Sequence, residues 1–208
     1  MKKTTPKKLD LSTEEKIKRA AEKIFMEKGF SGARTRDIAE EAGMNLALLN
    51  YYFRSKENLF EVIMMEKLKV FFDVIIDILK NADMSLTEKL PLLVNKYTDL
   101  LTAQPDLPIF LLSELKQNPD FFAERLKIKE KLNNEVFKAI EKETHAQKKE
   151  DMVQLLVTFL GMTLFPFIVR EVIQNMFDIP QKTYNEMLNE RRELIPVWIN
   201  EIIKSYLK

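Results

Sequence analysis

Hydrophobic residues recur at helical spacing along almost the whole chain, and the first stretch already shows this pattern. Ser12 and Glu15 have the spacing of a capping box, in which each side chain bonds the other residue's backbone N–H. An apolar stripe follows at intervals of three and four residues: Ile17, Ala20, Ala21, Ile24 and Phe25. The pattern predicts a first helix that ends at Gly29.

Two short helices joined by a tight turn are predicted next. Thr35 is predicted to cap the first of them, and Gly43 to end it in the left-handed conformation. Asn45 then caps a second short helix, and Ser55 caps a third, much longer one. The second short helix has apolar residues at helical spacing: Leu46, Leu49, Tyr52 and Phe53. Two short helices with a Gly-containing turn between them form a helix-turn-helix.

The rest of the chain predicts further helices separated by turn residues. Caps, prolines and periodicity place them at residues 56–79, 85–103 with a kink at Pro91, 109–116, 119–140, 150–177 and 183–207. No segment alternates with the two-residue period of a strand. The predicted fold class is therefore all-α.

Composition is typical of a soluble globular protein. The chain has 208 residues, of which 46% are hydrophobic and 31% charged, so it is neither disordered nor membrane-embedded. Its longest nearly apolar run, residues 155–169, is shorter than the roughly 20 residues that span a bilayer and is predicted to be a buried helix. No apolar segment follows the basic N-terminus, and Cys is absent. These features predict a cytoplasmic protein without a secretory signal.

Charge is distributed unevenly although the formal net charge is only +1. Residues 1–60 hold 13 Lys and Arg against 9 Asp and Glu, and the remaining residues hold 20 against 23. The bias would orient the N-terminal part toward phosphates, although ordinary surface charge explains so small a difference nearly as well. Residues 1–10 are predicted to be a flexible basic arm, whose lysines either contact phosphates or only solubilise the chain.

The residues that most enzymes need are scarce. The chain has one His, His145, in a hydrophilic turn, and no Cys, so a Ser-His triad or a His-based metal site lacks its partners. Glycine occurs only at positions 29, 32, 43 and 161 and forms no phosphate-binding loop. We therefore predict no catalytic residues, no metal and no cofactor.

Several motifs of the helix-turn-helix region lie in a fixed order and spacing. They are Thr35-Arg36-Asp37-Ile38-Ala39, Ala42-Gly43, Tyr52-Phe53 and Ser55-Lys56-Glu57-Asn58-Leu59. In this register they resemble the N-terminal signature of TetR-type transcriptional regulators, and the specific resemblance ends near Phe60. It implies a three-helix DNA-binding domain over residues 11–57 and a larger helical domain over residues 58–208, for ligand binding and dimerisation.

In that family the start of the helix-turn-helix and most of its second helix meet DNA. Carried over position by position, the DNA-binding residues would be Thr35, Arg36, Asn45, Leu46, Ala47, Leu48, Asn50, Tyr51, Tyr52 and Lys56. Arg36 can bind guanine or phosphate and Asn50 can bind adenine, whereas Tyr51 and Lys56 suit phosphates.

The segment from Leu46 to Leu48 departs from the family, because many members have a polar or glycine residue there. The two leucines and Ala47 would contact thymine methyl groups if this helix reads bases. The alternative is that the leucines are simply part of the core.

The resemblance also implies an effector bound in the larger domain. Few charges interrupt the apolar segments there, which predicts a small apolar or amphipathic molecule. Its pocket would be lined by Phe72, Tyr97, Phe110, Phe122, Phe159, Met162, Phe165, Pro166 and Arg170. Ordinary core packing explains any one of these aromatic residues at least as well. Pro166 is a better clue, because a proline frees a carbonyl and bends its helix. Arg170 would pair with an anionic head group or form a surface salt bridge.

Family members commonly pair through the two C-terminal helices of each subunit. The resemblance therefore implies a homodimer, with its interface at Val153, Leu156, Trp198, Ile202 and Tyr206. Burial of the same apolar stripe within one chain is the alternative.

The predicted function is that of a sequence-specific DNA-binding regulator, a repressor that its effector releases from double-stranded operator DNA. Its predicted partners are the operator, the effector and a second copy of the chain, with no membrane. Two alternatives stay open: a DNA-binding protein without an effector, and a helical interaction module whose N-terminal motif no longer reads DNA.

Overall fold

The structure is a computed structural model that describes residues 12–81, 83–117, 119, 141 and 148–206. All regular secondary structure in these ranges is α-helical, which confirms the predicted fold class. The chain divides into two compact units, Met1–Glu66 and Lys67–Lys208. The division falls inside a long helix, whereas the predicted domain boundary lies near the start of that helix, after residue 57. The predicted basic arm, the predicted helix beyond residue 119 and the turn around His145 lie outside the described residues.

The first unit holds three helices and the start of a fourth. They are α1 (Thr13–Gly32), α2 (Thr35–Glu41), α3 (Leu46–Phe53) and the first turns of α4 (Lys56–Leu79). Ser12 caps α1 by accepting a hydrogen bond from the backbone N–H of Glu15, at 3.3 Å. Gly29 has φ 66° and ψ 174°, so the helical conformation is interrupted at the predicted residue, and a short continuation to Gly32 follows.

A small apolar core holds the first unit together. Its most deeply buried side chains are Ile17, Ala21, Phe25, Ile38, Leu49, Leu59 and Ile63. The rings of Phe25 and Phe60 meet edge to face, with centroids 4.9 Å apart, and the ring of Phe30 lies 4.8 Å from that of Phe60. The apolar stripe predicted for α1 is therefore the face that this helix turns toward the core.

The second unit contains the rest of α4 and, within the described ranges, five further helices. They are α5 (Leu86–Ala103), α6 (Leu107–Gln117), α7 (Lys149–Ile168), α8 (Arg170–Met176) and α9 (Gln181–Tyr206). A capping box starts α5: the N–H of Ser85 donates to Glu88 Oε2 at 2.8 Å, and the N–H of Glu88 donates to Ser85 Oγ at 3.3 Å. Pro91 lies inside α5, as predicted.

Helix α9 packs against α5, α7 and α8, and α7 packs against α5 and α6. Arg192 joins α9 to α5, since it donates to the carbonyl of Asn95 at 3.2 Å and to Asp99 Oδ1 at 2.7 Å. Tyr97 of α5 is fully buried, and its hydroxyl donates to the carbonyl of Phe71 in α4 at 2.9 Å. Polar side chains thus fix the register between helices that are otherwise held by apolar contacts.

Two predicted helix boundaries in this unit were wrong. Helix α6 begins at Leu107, so Pro108 lies in its first turn, where a missing N–H leaves no intrahelical acceptor unsatisfied. The helix predicted over residues 150–177 is two helices, because Val169 leaves the helical conformation with φ −97° and ψ 8°. Pro166 has no N–H to bond the carbonyl of Met162, which weakens α7 just before this break.

Candidate functional site

Helix α2 begins without the predicted side-chain cap. Arg34 occupies the N-cap position with an extended backbone, and Thr35 is the first helical residue. The prediction that Thr35 caps α2 was wrong because the change from extended to helical backbone falls one residue earlier. Lys28 forms an ion pair with Asp37 at 2.7 Å, and this hydrogen bond lowers the pKa of the Asp37 carboxyl. The pair ties the first turn of α2 to α1.

The turn between α2 and α3 closes through backbone hydrogen bonds. The N–H of Gly43 donates to the carbonyl of Glu40 at 3.0 Å, and the N–H of Met44 donates to that of Ala39 at 2.9 Å. This is the Schellman arrangement, and it needs a left-handed residue at Gly43, whose φ is 66°. The predicted role of Gly43 is confirmed, and the turn fixes the direction in which α3 leaves α2.

Helix α3 divides its residues between a buried and an exposed face. Asn45 caps it by accepting from the N–H of Leu48 at 2.8 Å, as predicted. Leu49 is inaccessible to solvent and Phe53 is nearly so, and both anchor the helix to the core. Leu46 and Leu48 are only partly buried, so they belong neither to the core nor fully to the surface.

The exposed face of α3 carries Ala47, Asn50 and Tyr51, with 79% of Tyr51 accessible to solvent. The ring of Tyr52 meets that of Tyr51 edge to face, with centroids 5.4 Å apart. The polar side-chain groups of Asn50 and Tyr51, like that of the exposed Arg36 in α2, hydrogen-bond no residue in the described part of the chain. These donors are free to meet the oxygen and nitrogen acceptors of a partner.

Lys56, predicted to bind phosphate, has partners within its own unit. Its ammonium donates to the carbonyls of Phe30 at 2.9 Å and Ala33 at 3.1 Å, and it lies 4.2 Å from the centroid of the Phe30 ring. The lysine thereby ties the first residue of α4 to the connection between α1 and α2. Sequence reasoning missed this role, and the phosphate contact stays a prediction.

Ser55 caps α4 as predicted, accepting from the N–H of Asn58 at 3.1 Å. The side chain of Asn58 in turn donates to the carbonyl of Phe53 at 3.0 Å. Between the two helices, Arg54 takes a left-handed conformation with φ 63°. The end of α3 is therefore held rigidly against the start of α4.

This constellation agrees with one known family. The family model described as bacterial regulatory proteins, tetR family, matches residues 17–63, from α1 into α4. The N-terminal region of the chain, residues 17–63, therefore matches the TetR family of regulators. The match covers most of α1, all of α2 and α3, and the cap and first turns of α4.

Two curated proteins of Bacillus subtilis (strain 168) are similar to parts of this chain. It is 41% identical over 58 residues to "Probable HTH-type transcriptional regulator YttP", an alignment that covers 28% of each chain. It is 28% identical over 114 residues to "Fatty acid metabolism regulator protein", an alignment that covers 55% of each chain. The chain thus matches less than two thirds of the length of either relative.

A solved structure shows how far the fold of this chain is shared. The fatty acid degradation regulator FadR from Bacillus halodurans is similar with a TM-score of 0.58 and 23% identity, covering 93% of this chain and 96% of that chain. At this identity the likeness shows the fold alone.

The predicted pocket residues that the structure describes differ in burial. Tyr97, Phe110 and Phe159 are buried core residues, and burial raises the pKa of the Tyr97 hydroxyl well above its usual value. Phe72 is partly buried beside Phe71 in α4. Phe122 lies outside the described residues. Burial of the first three fits either a closed pocket or ordinary core packing, so their place in a pocket stays a prediction.

An open cleft of about 610 Å³ lies along α7, α8 and α9. Its lining residues are Gly161, Met162, Phe165, Pro166, Val169, Ile173, Tyr184, Met187, Leu188 and Arg191. We call it the α7–α9 cleft. It includes three of the predicted pocket residues, Met162, Phe165 and Pro166, whereas Arg170 is not part of the lining. Its surface is largely apolar, which suits an apolar or amphipathic molecule.

Two side chains of α9 bond the main chain of α7 in this cleft. Arg191 Nη2 donates to the carbonyl of Met162 at 2.8 Å, the carbonyl that Pro166 leaves without an intrahelical donor. The hydroxyl of Tyr184 donates to the carbonyl of Pro166 at 2.6 Å. Sequence reasoning missed both residues, although Tyr184, Leu188 and Arg191 have the i, i+4, i+7 spacing of one helical face.

The predicted dimer-interface residues differ in exposure. Val153 and Trp198 have 43% and 37% of their surface accessible, whereas Leu156 is partly buried and Ile202 packs against the buried Met152 and Leu155 of its own chain. The side chain of Tyr206 is not among those described. Further exposed apolar residues on α7 and α9 are Val157, Phe165, Met187, Leu194 and Val197.

Helix α7 is the one described helix that could cross a membrane by length and composition. The segment Glu150–Ile168 has a mean hydropathy of 1.7 over its most apolar window. Buried helices of soluble proteins meet the same criterion, and α7 packs against α5, α6 and α9 within its unit. Its exposed apolar residues make it a candidate surface for self-association.

Proposed function

We propose that this chain is a transcriptional regulator that binds double-stranded operator DNA through α2 and α3. The observation that supports this best is the division of α3. Leu49 and Phe53 are buried, whereas the polar groups of Asn50 and Tyr51 face solvent and hydrogen-bond no residue in the described part of the chain. A helix anchored by its apolar side presents its polar side in one fixed orientation. Such a helix fits the major groove, where side chains read the donors and acceptors of base edges.

The residues proposed to contact DNA divide by chemistry into base readers and phosphate binders. Asn50 suits adenine, and Leu46, Ala47 and Leu48 suit thymine methyl groups. Arg36 suits guanine or phosphate, and the remaining predicted contacts, Thr35, Asn45, Tyr51, Tyr52 and Lys56, suit the backbone. For Lys56 a phosphate contact would require the ammonium to serve DNA as well as the carbonyls of Phe30 and Ala33.

We further propose that the regulator is a cytoplasmic homodimer. Two recognition helices must lie about 34 Å apart to engage successive major grooves, so a dimer reads two half-sites at once. The exposed apolar residues on α7 and α9, including Val153 and Trp198, support these helices as the contact surface. Covering them with a second copy would remove apolar surface from water.

The proposed regulation is repression that a small apolar or amphipathic effector relieves. Two similar proteins bear names that refer to fatty acid metabolism and fatty acid degradation, which supports an effector with a hydrocarbon chain. Helix α4 belongs to both units and is therefore the proposed mechanical link. An effector acts only if it binds the released form more tightly than the DNA-bound form.

The test is a salt titration of binding to the protein's own upstream DNA and to scrambled DNA of equal length. Tighter binding to the upstream DNA by a factor of about 10³ or more supports a site-specific regulator. Equal and steeply salt-dependent binding to both would indicate phosphate attraction alone. No binding even at low salt would favour the interaction module.

A matched pair of variants separates base reading from phosphate binding. Asn50→Ala should lose most of the specificity ratio while it keeps non-specific binding, because an exposed side chain on α3 contributes little to the fold. The control is Asn185→Ala, an exposed residue of α9 outside the proposed interface with DNA. If Asn50→Ala binds the operator as the wild-type protein does, Asn50 does not read a base.

A further inference from the structure

Two arginines give the α7–α9 cleft a positive charge. Arg191 lies in the lining, and the guanidinium carbon of Arg170 lies 5.7 Å from the ring centroid of the lining residue Tyr184. No acidic side chain in the described ranges forms an ion pair with either arginine. Guanidinium groups that are withdrawn from water usually have an anionic partner, so these two are an exception that needs a cause.

Parts of both guanidinium groups are shielded from water. Nε and Nη2 of Arg170 and Nε of Arg191 are inaccessible to solvent and donate to no acceptor in the part of the chain that the structure describes. Nη2 of Arg191 donates to the carbonyl of Met162, which holds this guanidinium in one position, 5.3 Å from the ring centroid of Trp198. Burial lowers the pKa of Arg191, because removing water disfavours its charged form. A carboxylate that reached Arg191 would favour the charged form again.

A carboxylate without a partner lies on the exposed side of the same helix. Glu190 is exposed and bonds no residue within the described ranges. The residues three positions before it and four and seven positions after it are exposed and apolar, so Glu190 interrupts an apolar stripe. We call this set the α9 stripe: Met187, Glu190, Leu194 and Val197. Glu201 continues it by one turn, but it already pairs with Lys204 at 2.8 Å.

Glu190 and Arg191 complement each other in charge, yet they cannot pair within one chain. Adjacent residues of a helix point in different directions and do not face each other. Two-fold symmetry removes this obstacle, because residue i of one protomer then contacts residue j of the other, and j contacts i. Where α9 crosses its own copy in the antiparallel direction, with the axis beside these two residues, each carboxylate faces the other chain's guanidinium.

We propose that the α9 stripe and the α7–α9 cleft meet their own copies in a self-complementary contact, in which Glu190 pairs with Arg191 of the partner subunit. Arg170 adds attraction at short range. The inference rests on the proposed homodimer and adds the charged groups that fix its register. The interface predicted from sequence held only apolar and aromatic residues, which can slide along one another. A slip of one turn along α9 would leave four charges unpaired inside the contact.

Removal of the carboxylate distinguishes this pairing from an ordinary surface charge. Glu190→Met keeps the length of the side chain, removes its charge and completes the apolar stripe. If Glu190 only interrupts that stripe, the substitution should tighten self-association. We expect the opposite, a weakening of about tenfold to a hundredfold, because two copies of Arg191 stay withdrawn from water without an anion. Sedimentation velocity of the labelled full chain measures this, with dilution until the wild-type dimer dissociates.

A second substitution tests whether the two residues act on each other. Arg191→Met should also weaken the dimer, and in that background Glu190→Met should cause no further weakening, since its partner is already gone. Circular dichroism melting establishes that each variant is folded, which matters for Arg191 because it also bonds the carbonyl of Met162. The matched control is Glu40→Met, the same change at an exposed position of α2, and it should leave the dimer unchanged.

The pairing is overturned if Glu190→Met dimerises as tightly as the wild-type chain or more tightly, or if the two substitutions weaken the dimer additively. In either case a stable wild-type dimer would keep the homodimer of the proposed function intact. A wild-type chain that stays monomeric at every concentration would overturn both, and another occupant would then cover the stripe. The assay contains no DNA, so specific operator binding is a separate result.

Discussion

The exposed face of α3 and the α7–α9 cleft are both candidate binding surfaces, yet their physics is opposite. On α3, polar groups face water above a buried apolar base, so the isolated protein has no unsatisfied group there. In the cleft, apolar side chains are exposed and two arginines are partly withdrawn from water without an acidic partner. The first surface is complete without a partner, whereas the second gains stability when something covers it.

The energetic consequence differs in the same way. Binding DNA would exchange water and counterions for base edges and phosphates, and its strength would depend steeply on salt. Binding in the cleft would remove apolar area from water and pair a poorly hydrated charge, so it should depend on salt far less. The salt dependence of each binding reaction therefore tests whether the contrast between the two surfaces is real.

The largest expected effect comes from removing a side chain of the apolar core on which α3 packs. Phe25→Ala deletes a fully buried ring that contacts Phe60 and should destabilise the first unit by about 3 to 5 kcal/mol. Operator binding should be lost with it, whereas the second unit should stay folded. Chemical denaturation followed by circular dichroism measures the first effect, and the fluorescence of the single Trp, Trp198, reports on the second unit. Equal loss of stability in both units would show that the two surfaces are not independent.

The control for that experiment is Tyr51→Ala, because this ring is largely exposed. Its stability should stay close to that of the wild-type protein while affinity for DNA falls. A large loss of stability would contradict the division of α3 into a buried and an exposed face.

Lys56 should have the next largest effect, on stability before DNA is added. Lys56→Met leaves the carbonyls of Phe30 and Ala33 without their donor and should destabilise the first unit by about 2 kcal/mol. Urea denaturation without DNA measures this. The control is Lys23→Met, whose exposed ion pair with Glu41 should be neutral by the same assay. Unchanged stability of Lys56→Met, with a smaller salt slope for DNA, would assign Lys56 to phosphate binding instead.

Two glycines should respond to the same substitution with opposite signs. Gly43→Ala forces a Cβ into the left-handed region and should cost about 1 kcal/mol, although no neighbour would clash. Gly161→Ala lies within α7, also meets open space, and should stabilise by up to about 1 kcal/mol. Thermal melting of the pair compares them directly. A stabilised Gly43→Ala would mean that the turn does not need its left-handed residue.

The smallest effect is electrostatic. Lys28 lowers the pKa of Asp37, so their pairing stabilises the folded state above the ordinary Asp pKa and is lost as pH falls through the lowered value. In Lys28→Met the pKa of Asp37 should rise toward its ordinary value, measured by NMR titration of the side-chain carboxyl carbon. Global stability should barely change, because both groups are largely solvated. An unchanged Asp37 pKa would rule out Lys28 as the cause.

Local signals made most of the first unit predictable from sequence. The caps at Ser12, Asn45 and Ser55 and the left-handed Gly43 depend on residues within one or two turns, and each is present in the structure. The prediction that Thr35 caps α2 was wrong because the backbone changes from extended to helical at Arg34, which forms no side-chain capping hydrogen bond. The bonds of Lys56 cross 26 and 23 residues, a separation at which periodicity carries no information.

The second unit was less predictable because its site depends on where distant helices meet. Pro166 was expected to leave a carbonyl of its helix without a donor. That carbonyl belongs to Met162, and its donor is Arg191, which lies 29 residues away in sequence. Aromatic residues such as Tyr97 and Phe159 form the same sequence pattern whether they line a pocket or fill a core, and both are buried in the structure. The break at Val169 was missed because apolar periodicity continues across it.

The two hydrogen bonds from α9 to α7 constrain few of the side chains that line the cleft. Arg191 and Tyr184 both bond main-chain carbonyls, so the residue at position 162 can be exchanged without changing the acceptor it offers. Position 166 is different, because any residue other than proline would bring an N–H that competes with Arg191 for the carbonyl of Met162. In relatives that keep this proline, substitutions at neighbouring positions would change the shape of the cleft, while the hydrogen bonds of Arg191 and Tyr184 to α7 would remain.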